Sequence, residues 1–208
     1  MSAPTLRIAV LLSGSGTSLE NLLDHIDAGD VPGSVKVVIA SKEKAFGLTR
    51  ARRRGIPAVA VARKRYPEVG AFNDALHAVL LEHDVDLVLL LGFLSPFETR
   101  GRFDSRTLNV HPALIPAFSG RGFYGHRVHE GVIEAGVKVT GATVHFVDAK
   151  YDHGPIILQE AVPVEDDDTP DSLAARVQAA ERRLVPEAVR LFAEGRLTID
   201  GRRVRIKR

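Results

Sequence analysis

Leu6-Arg7-Ile8-Ala9-Val10-Leu11-Leu12-Ser13-Gly14-Ser15-Gly16-Thr17-Ser18-Leu19 reads as a strand, a glycine turn and the opening of a helix. The run 6–12 is apolar on nearly every position, as a parallel strand covered on both faces requires. Leu19, Leu22, Leu23 and Ile26 then recur on one face of a helix over 18–28. The same alternation continues outward. Strands are predicted over 35–40, 58–62 and 87–91, and helices over 45–54 and 71–82, with Phe72, Leu76, Val79 and Leu80 facing inward. Strand and helix in strict alternation imply a doubly wound, mostly parallel, Rossmann-like α/β sheet with right-handed crossovers.

Sheets of this kind bind ligands beyond the carboxyl ends of their strands. The segments 14–18, Gly92-Phe93 and Asn109-Val110-His111 all lie at such ends, which leads us to expect that they share one cleft. In the second half the pattern changes. A strand over 107–110 gives way to a Pro/Gly loop over 112–125 and a helix over 128–135. Strands over 142–147 and 156–164 flank a turn at Asp152 and read as an antiparallel addition to the sheet. An acidic stretch, Glu165-Asp166-Asp167-Asp168, precedes Thr169-Pro170, a cap residue followed by proline that opens a long helix. The chain closes with a small basic hairpin from Leu197 onward. No repeat or linker divides the sequence, so residues 1–208 are expected to form one domain.

Composition narrows the chemistry. The 208 residues carry a formal charge of +2, with 45% apolar and 26% charged side chains, an ordinary globular balance. With no cysteine, neither a disulfide scaffold nor a thiolate nucleophile or metal ligand is available. No apolar run approaches membrane-spanning length, and the first residues lack the apolar core of a signal peptide, so a cytoplasmic protein is expected. The sequence pI is near 9.0, but the basic residues are dispersed. Three tyrosines and no tryptophan leave little for base stacking, so no nucleic-acid partner is expected.

Three motifs carry chemistry. Gly14, Gly16, Thr17 and Ser18 between strand and helix can present N–H and hydroxyl donors to an anion. A dinucleotide fingerprint needs a third glycine and an acidic residue after the second strand, and Ala40-Ser41-Lys42 offers none. A monophosphate cradle fits better. Asn109 and His111 flank Val110, so in extended chain their side chains point the same way. An amide that donates to an oxyanion, an imidazole that moves a proton and a carboxylate that orients it form a group-transfer set, with Asp152 in Asp152-His153-Gly154-Pro155 supplying the carboxylate. Asp148 is a competing carboxylate, and Thr143 and His145, at the same parity on one strand, are candidate supporting residues. His126-x-x-His129-Glu130 suggests a metal, but no third ligand stands at a fixed spacing, so no metal is expected. Gln178 and Glu181 lie one helical turn apart and are ordinarily a solvated pair.

Taken together, these residues resemble the phosphoribosylglycinamide formyltransferases, folate-dependent enzymes of purine synthesis. The resemblance is carried by the 13–19 loop, Gly92-Phe93, Asn109-Val110-His111-Pro112, the 141–147 strand, Asp152-His153-Gly154-Pro155 and Arg176-Val177-Gln178. It implies that the amine of glycinamide ribonucleotide attacks the formyl carbon of 10-formyltetrahydrofolate, the co-substrate, directly. Asn109 and His111 would stabilise the tetrahedral oxyanion while Asp152 tunes His111. Gly16, Thr17 and Ser18 would cradle the ribose phosphate, and Gln178 and Glu181 would complete the ribonucleotide site. Folate would lie against backbone of Leu94, Ser95, Pro96 and Phe97 and against Asp148, Ala149, Lys150 and Tyr151. The N-terminal half would thus serve the ribonucleotide and the C-terminal half the folate, in a monomer or homodimer with small-molecule partners only.

The chain departs from the family pattern in three places. Leu94-Ser95-Pro96 follows Gly92-Phe93 where a basic residue is usual, Val69 stands where an arginine is expected, and Tyr124 replaces a common histidine. A formyltetrahydrofolate hydrolase shares the Asn/His/Asp set but carries an extra regulatory domain, and the tRNA-directed formyltransferases carry a tRNA-binding domain. Neither is expected in 208 residues. A nucleotide-binding module without catalysis is the remaining alternative.

Overall fold

The computed structural model describes residues 5–207, which fall into two compact units divided between Leu108 and Asn109. In the first unit, β1 (Leu6–Leu12), α1 (Thr17–Asp27), β2 (Gly33–Ala40), α2 (Phe46–Arg53), β3 (Ala58–Ala60), α3 (Val69–Glu82) and β4 (Leu87–Leu90) follow one another. The strands are ordered β3-β2-β1-β4 and all run parallel. Ile8 to Leu12 are wholly buried, as are Val37 to Ala40, because helices cover both faces of these central strands.

Several boundaries differ from the sequence expectation, the second strand starting at Gly33 rather than 35. The third strand stops at Ala60 rather than 62, and the chain enters a single 3-10 turn at Arg63–Arg65 after Val61 N–H bonds to Ala40 O. The third helix begins at Val69, two residues early, with no side-chain cap to mark it. Asn73 on that helix is fully buried, its Nδ2 donating to Val69 O at 3.0 Å and its Oδ1 accepting from Glu98 N at 2.8 Å.

The second unit begins inside β5 (Thr107–His111). It continues through α4 (His126–Glu134), β6 (Val139–Phe146), β7 (Ile156–Pro163), α5 (Pro170–Ala193), β8 (Leu197–Asp200) and β9 (Arg203–Ile206). Its strands are ordered β5-β6-β7-β9-β8. β6 and β7 are antiparallel, with a register shift between Val144 and His145, while β9 joins β7 in parallel at Ile156↔Arg203 and pairs β8 antiparallel. α4 starts at His126, two residues before the expected position, directly after Gly125 at φ 53°.

α5 packs on β6, β7 and α4. Thr169 accepts from Ser172 N in a reciprocal capping box, and Pro170 fills the first helical position, where no N–H is needed. The acidic stretch before it is structural: Asp168 accepts from Glu165 N and Ser172 Oγ and pairs with Arg176, which holds its carboxyl at about 2. Among the described residues, no helix is long and apolar enough to cross a membrane.

Candidate active site

The catalytic candidates meet within the second unit. β5 ends on Asn109 and His111, and the turn between β6 and β7 supplies Asp152. Asn109 Nδ2 donates to Asp152 Oδ1 at 3.3 Å, and His111 Nδ1 lies 3.5 Å from Asp152 Oδ2. Asp152 sits in the left-handed region at φ 49°, and Gly154 two residues on packs so closely that a Cβ there would meet Phe146 O at 1.8 Å. The turn therefore has no room for a side chain at 154 and aims the carboxylate at one place.

Hydrogen-bond directions fix the tautomers and the amide. His145 Nδ1 is 2.8 Å from Phe146 O, and a carbonyl can only accept, so that nitrogen carries the proton. Burial holds His145 below its ordinary value despite that bond, leaving Nε2 a bare acceptor. It receives Asn109 Nδ2 at 3.1 Å. Both amide hydrogens of Asn109 are thus engaged, one by His145 and one by Asp152. His111 donates Nε2–H to Phe118 O at 2.8 Å, which leaves Nδ1 facing the carboxylate. Asp152 Oδ2 also accepts from Gly120 N at 2.9 Å. His111 and His145 are 3% and 2% exposed, so water competes little for these bonds.

Thr143 braces the segment that follows His111. Its hydroxyl donates to Ala113 O at 2.7 Å and accepts from Ile115 N and from Gln159 Nε2, which also reaches Ile115 O. Phe118, Gly120 and Gln159 were not singled out in the sequence. Gly120 carried the weak signal of a glycine in a Pro/Gly loop, whereas a backbone carbonyl such as that of Phe118 leaves none.

In the first unit, Gly16 at φ 76° precedes α1, and no side-chain cap occupies the first-turn N–H groups of Thr17, Ser18 and Leu19. Those donors, with the positive end of the helix dipole, are groups that an anion at this turn would meet. A Cβ on Gly16 would lie 2.7 Å from Gly47 Cα, and Gly47 N donates to Gly14 O at 3.1 Å. The glycine missing from the loop motif has its counterpart on α2. Ser13 N donates to Gly92 O at 3.0 Å and Ser13 Oγ accepts from Leu94 N at 2.9 Å, joining the loop to 92–94. Leu94 is exposed, and Ser95, Pro96 and Phe97 are half-buried, Phe97 stacking on His77.

The remaining candidates lie on the second unit. Gln178 is exposed. Glu181 is half-buried, and burial pushes its carboxyl up to about 7 against the opposing charge of Arg182. Asp148 is half-buried, and Ala149, Lys150 and Tyr151 are exposed. His129 is buried with Nδ1 lacking any partner, and desolvation pushes its imidazole down to about 4. Tyr124 is exposed beneath Arg127, 5.1 Å from ring centroid to guanidinium.

An amide, an imidazole and a carboxylate joined by hydrogen bonds are the parts that group-transfer chemistry calls for. The chain belongs to the formyl transferase family, whose model matches residues 6–189. The phosphoribosylglycinamide formyltransferase of Mycobacterium tuberculosis (strain CDC 1551 / Oshkosh) is 41% identical over 206 residues, covering 97% of this chain and 91% of that protein. The crystal structure of glycinamide ribonucleotide transformylase 1 from Symbiobacterium toebii matches at a TM-score of 0.92 and 48% identity, covering 98% of this chain and 95% of that one. The trifunctional purine biosynthetic protein adenosine-3 of Bos taurus is 41% identical over 94% of this chain, which spans only 19% of the bovine protein's length.

Proposed function

We propose that this protein transfers the formyl group of 10-formyltetrahydrofolate to the amine of 5-phosphoribosylglycinamide, a cytoplasmic step of purine synthesis, with residues 1–208 acting as one formyltransferase domain. The observation that carries the reading is the convergence of Asn109, His111 and Asp152 through bonds of defined direction. The identity to glycinamide formyltransferases over nearly the whole of both chains selects the substrate.

The amine attacks the formyl carbon, a C–N bond forms, and the carbonyl oxygen becomes an oxyanion. Asn109 stabilises it with an amide hydrogen. The bond to Asp152 is the longer of its two and is the one exchanged, while His145 keeps the amide from rotating. A proton on His111 Nδ1 places a cation beside the anion, and Asp152 compensates that charge. That Nδ1 proton is the one the attacking amine gives up, and as the bond from carbon to the folate N10 breaks, His111 returns it to the departing nitrogen. No covalent enzyme intermediate is needed, since none of the three is a nucleophile here.

Gly16, Thr17 and Ser18 take the phosphate on the uncapped start of α1. Gln178 and Glu181 take ribonucleotide hydroxyls, and a carboxyl poised near neutrality can both donate and accept there. Leu94 to Phe97 and Asp148 to Tyr151 contact folate. The test is to mix the protein with 10-formyltetrahydrofolate, with and without glycinamide ribonucleotide, and follow tetrahydrofolate release optically. Release only with the ribonucleotide is expected. Release without it would make the protein a hydrolase, and no release in either case would leave a binding module.

A further inference from the structure

The basic terminal hairpin returns to the turn that carries Asp152. Arg202, exposed at the tip between β8 and β9, places Nη1 2.5 Å from His153 Nε2 and 3.2 Å from Nδ1, and donates from Nη2 to His153 O at 2.9 Å. His153 Nδ1 lies 2.7 Å from Asp148 Oδ2, and Asp148 Oδ1 accepts from Lys150 N at 2.8 Å. The guanidinium Nη1 thus packs against both ring nitrogens of His153, while the carboxylate of Asp148, which can only accept, takes the Nδ1 side of the ring. Burial opposes ionisation of Asp148, yet the bonds from His153 and Lys150 hold its carboxyl below the usual range. Arg202, His153 and Asp148 form one continuous set of contacts across the 148–154 loop.

The hairpin also fixes the loop's exit, because Arg203 is paired in register with Ile156, the first residue of β7. Asp152 is gripped from inside by Asn109, His111 and Gly120, but none of those reaches residues 148–151 or the peptide after Asp152. The hairpin holds that outer side. We propose that Arg202 is a positioning residue for formyl transfer, holding the Asp152 carboxylate in its reacting geometry through His153 and Asp148. The proposal rests on the reading of Asp152 as part of the reacting group. Exposed ion pairs contribute little to global stability, so the loss of Arg202 belongs in turnover rather than in melting.

The experiment compares wild type, Arg202→Ala, Arg202→Lys and His153→Ala by hydrogen exchange of the 147–155 segment and by steady-state kinetics. Arg202→Ala is expected to speed exchange in that segment alone and to lower kcat about tenfold, short of the ~100-fold that a 1 Å misplacement can cost. The KM for ribonucleotide should stay within about twofold, because only interactions of the transition state are lost. Arg202→Lys, which keeps the charge on a single donor nitrogen and loses the fork, should fall between. His153→Ala should match Arg202→Ala, and the double variant should lose no more, as members of one set of contacts do. Unchanged exchange in Arg202→Ala overturns the proposal, and so does faster exchange with unchanged kcat. If wild type transfers no formyl group to the ribonucleotide, the functional reading falls, and the exchange data alone decide whether Arg202 holds the loop.

Discussion

At the scale of single residues, the site is defined by which atoms can only donate and which can only accept. Asp152 receives three bonds or close contacts that a neutral amide of the same shape would satisfy only in part. Asp152→Asn, with its oxygen kept for Gly120 N, turns an NH2 toward the Asn109 amide and removes the charge that a protonated His111 needs. We expect kcat to fall by about 10²–10³-fold, the range for losing one electrostatic group of a transition state. The KM for ribonucleotide should change by less than about threefold. Equal losses in both, measured by initial rates, would make Asp152 a binding residue instead. The residues of this group were readable because Asn109 and His111 share one side of an extended strand and Asp152 lies in a Gly-Pro turn. Their supports were not, since Phe118 acts through a carbonyl and Gly120 through an N–H, groups that every residue possesses. Arg202 was hidden for another reason: in sequence it belonged to a run of basic residues whose alternation described only an exposed strand.

Among the elements, those whose sequence repeats a period were legible and those ended by local chemistry were displaced. The central strands announced themselves because burial on both faces demands unbroken apolar runs. α3 and α4 each began two residues early because Glu68 and Gly125, which precede them, carry no capping side chain to read. The third strand ended early because Arg63 to Arg65 turn in a 3-10 helix that no apolar period signals. α5 is the counter-case, since Thr169-Pro170 states its start in full. Thr169→Ala removes the acceptor for Ser172 N and is expected to cost about 1 kcal/mol, the usual loss for a helix cap. Urea unfolding should show that loss with an unchanged slope and kcat should hold, because the cap touches no candidate substrate group. An unchanged midpoint would mean that Pro170 and the Asp168–Arg176 pair set the start of α5 without it.

For the whole molecule, pH acts through groups whose burial separates folded from unfolded ionisation. His129 is one such group, with an imidazole that is buried, has no hydrogen-bond partner at Nδ1 and is further discouraged from charging by His126 and His111. Its folded value of about 4 lies below the ordinary 6.5, so the unfolded chain binds a proton that the native protein refuses between those limits. The His129 contribution is therefore nil above pH 6.5 and lowers stability as pH drops from 6.5 to 4, opposed by Glu181, whose raised carboxyl adds stability as pH falls from about 7 to 4.5. The His129 shift sets an upper limit of about 3 kcal/mol on its loss. Asp168, held at about 2 by Arg176 and Ser172, acts in a lower window, where its contribution is lost as pH falls below the ordinary carboxylate range. The two windows separate the causes. Replacing the imidazole by a group without charge, His129→Leu, should make urea-derived stability lose less than wild type does between pH 6.5 and 4 and leave the decline below pH 4 unchanged. A variant that loses as much stability as wild type through that upper window would show that the slope arises elsewhere and that His129 takes up its proton without unfolding.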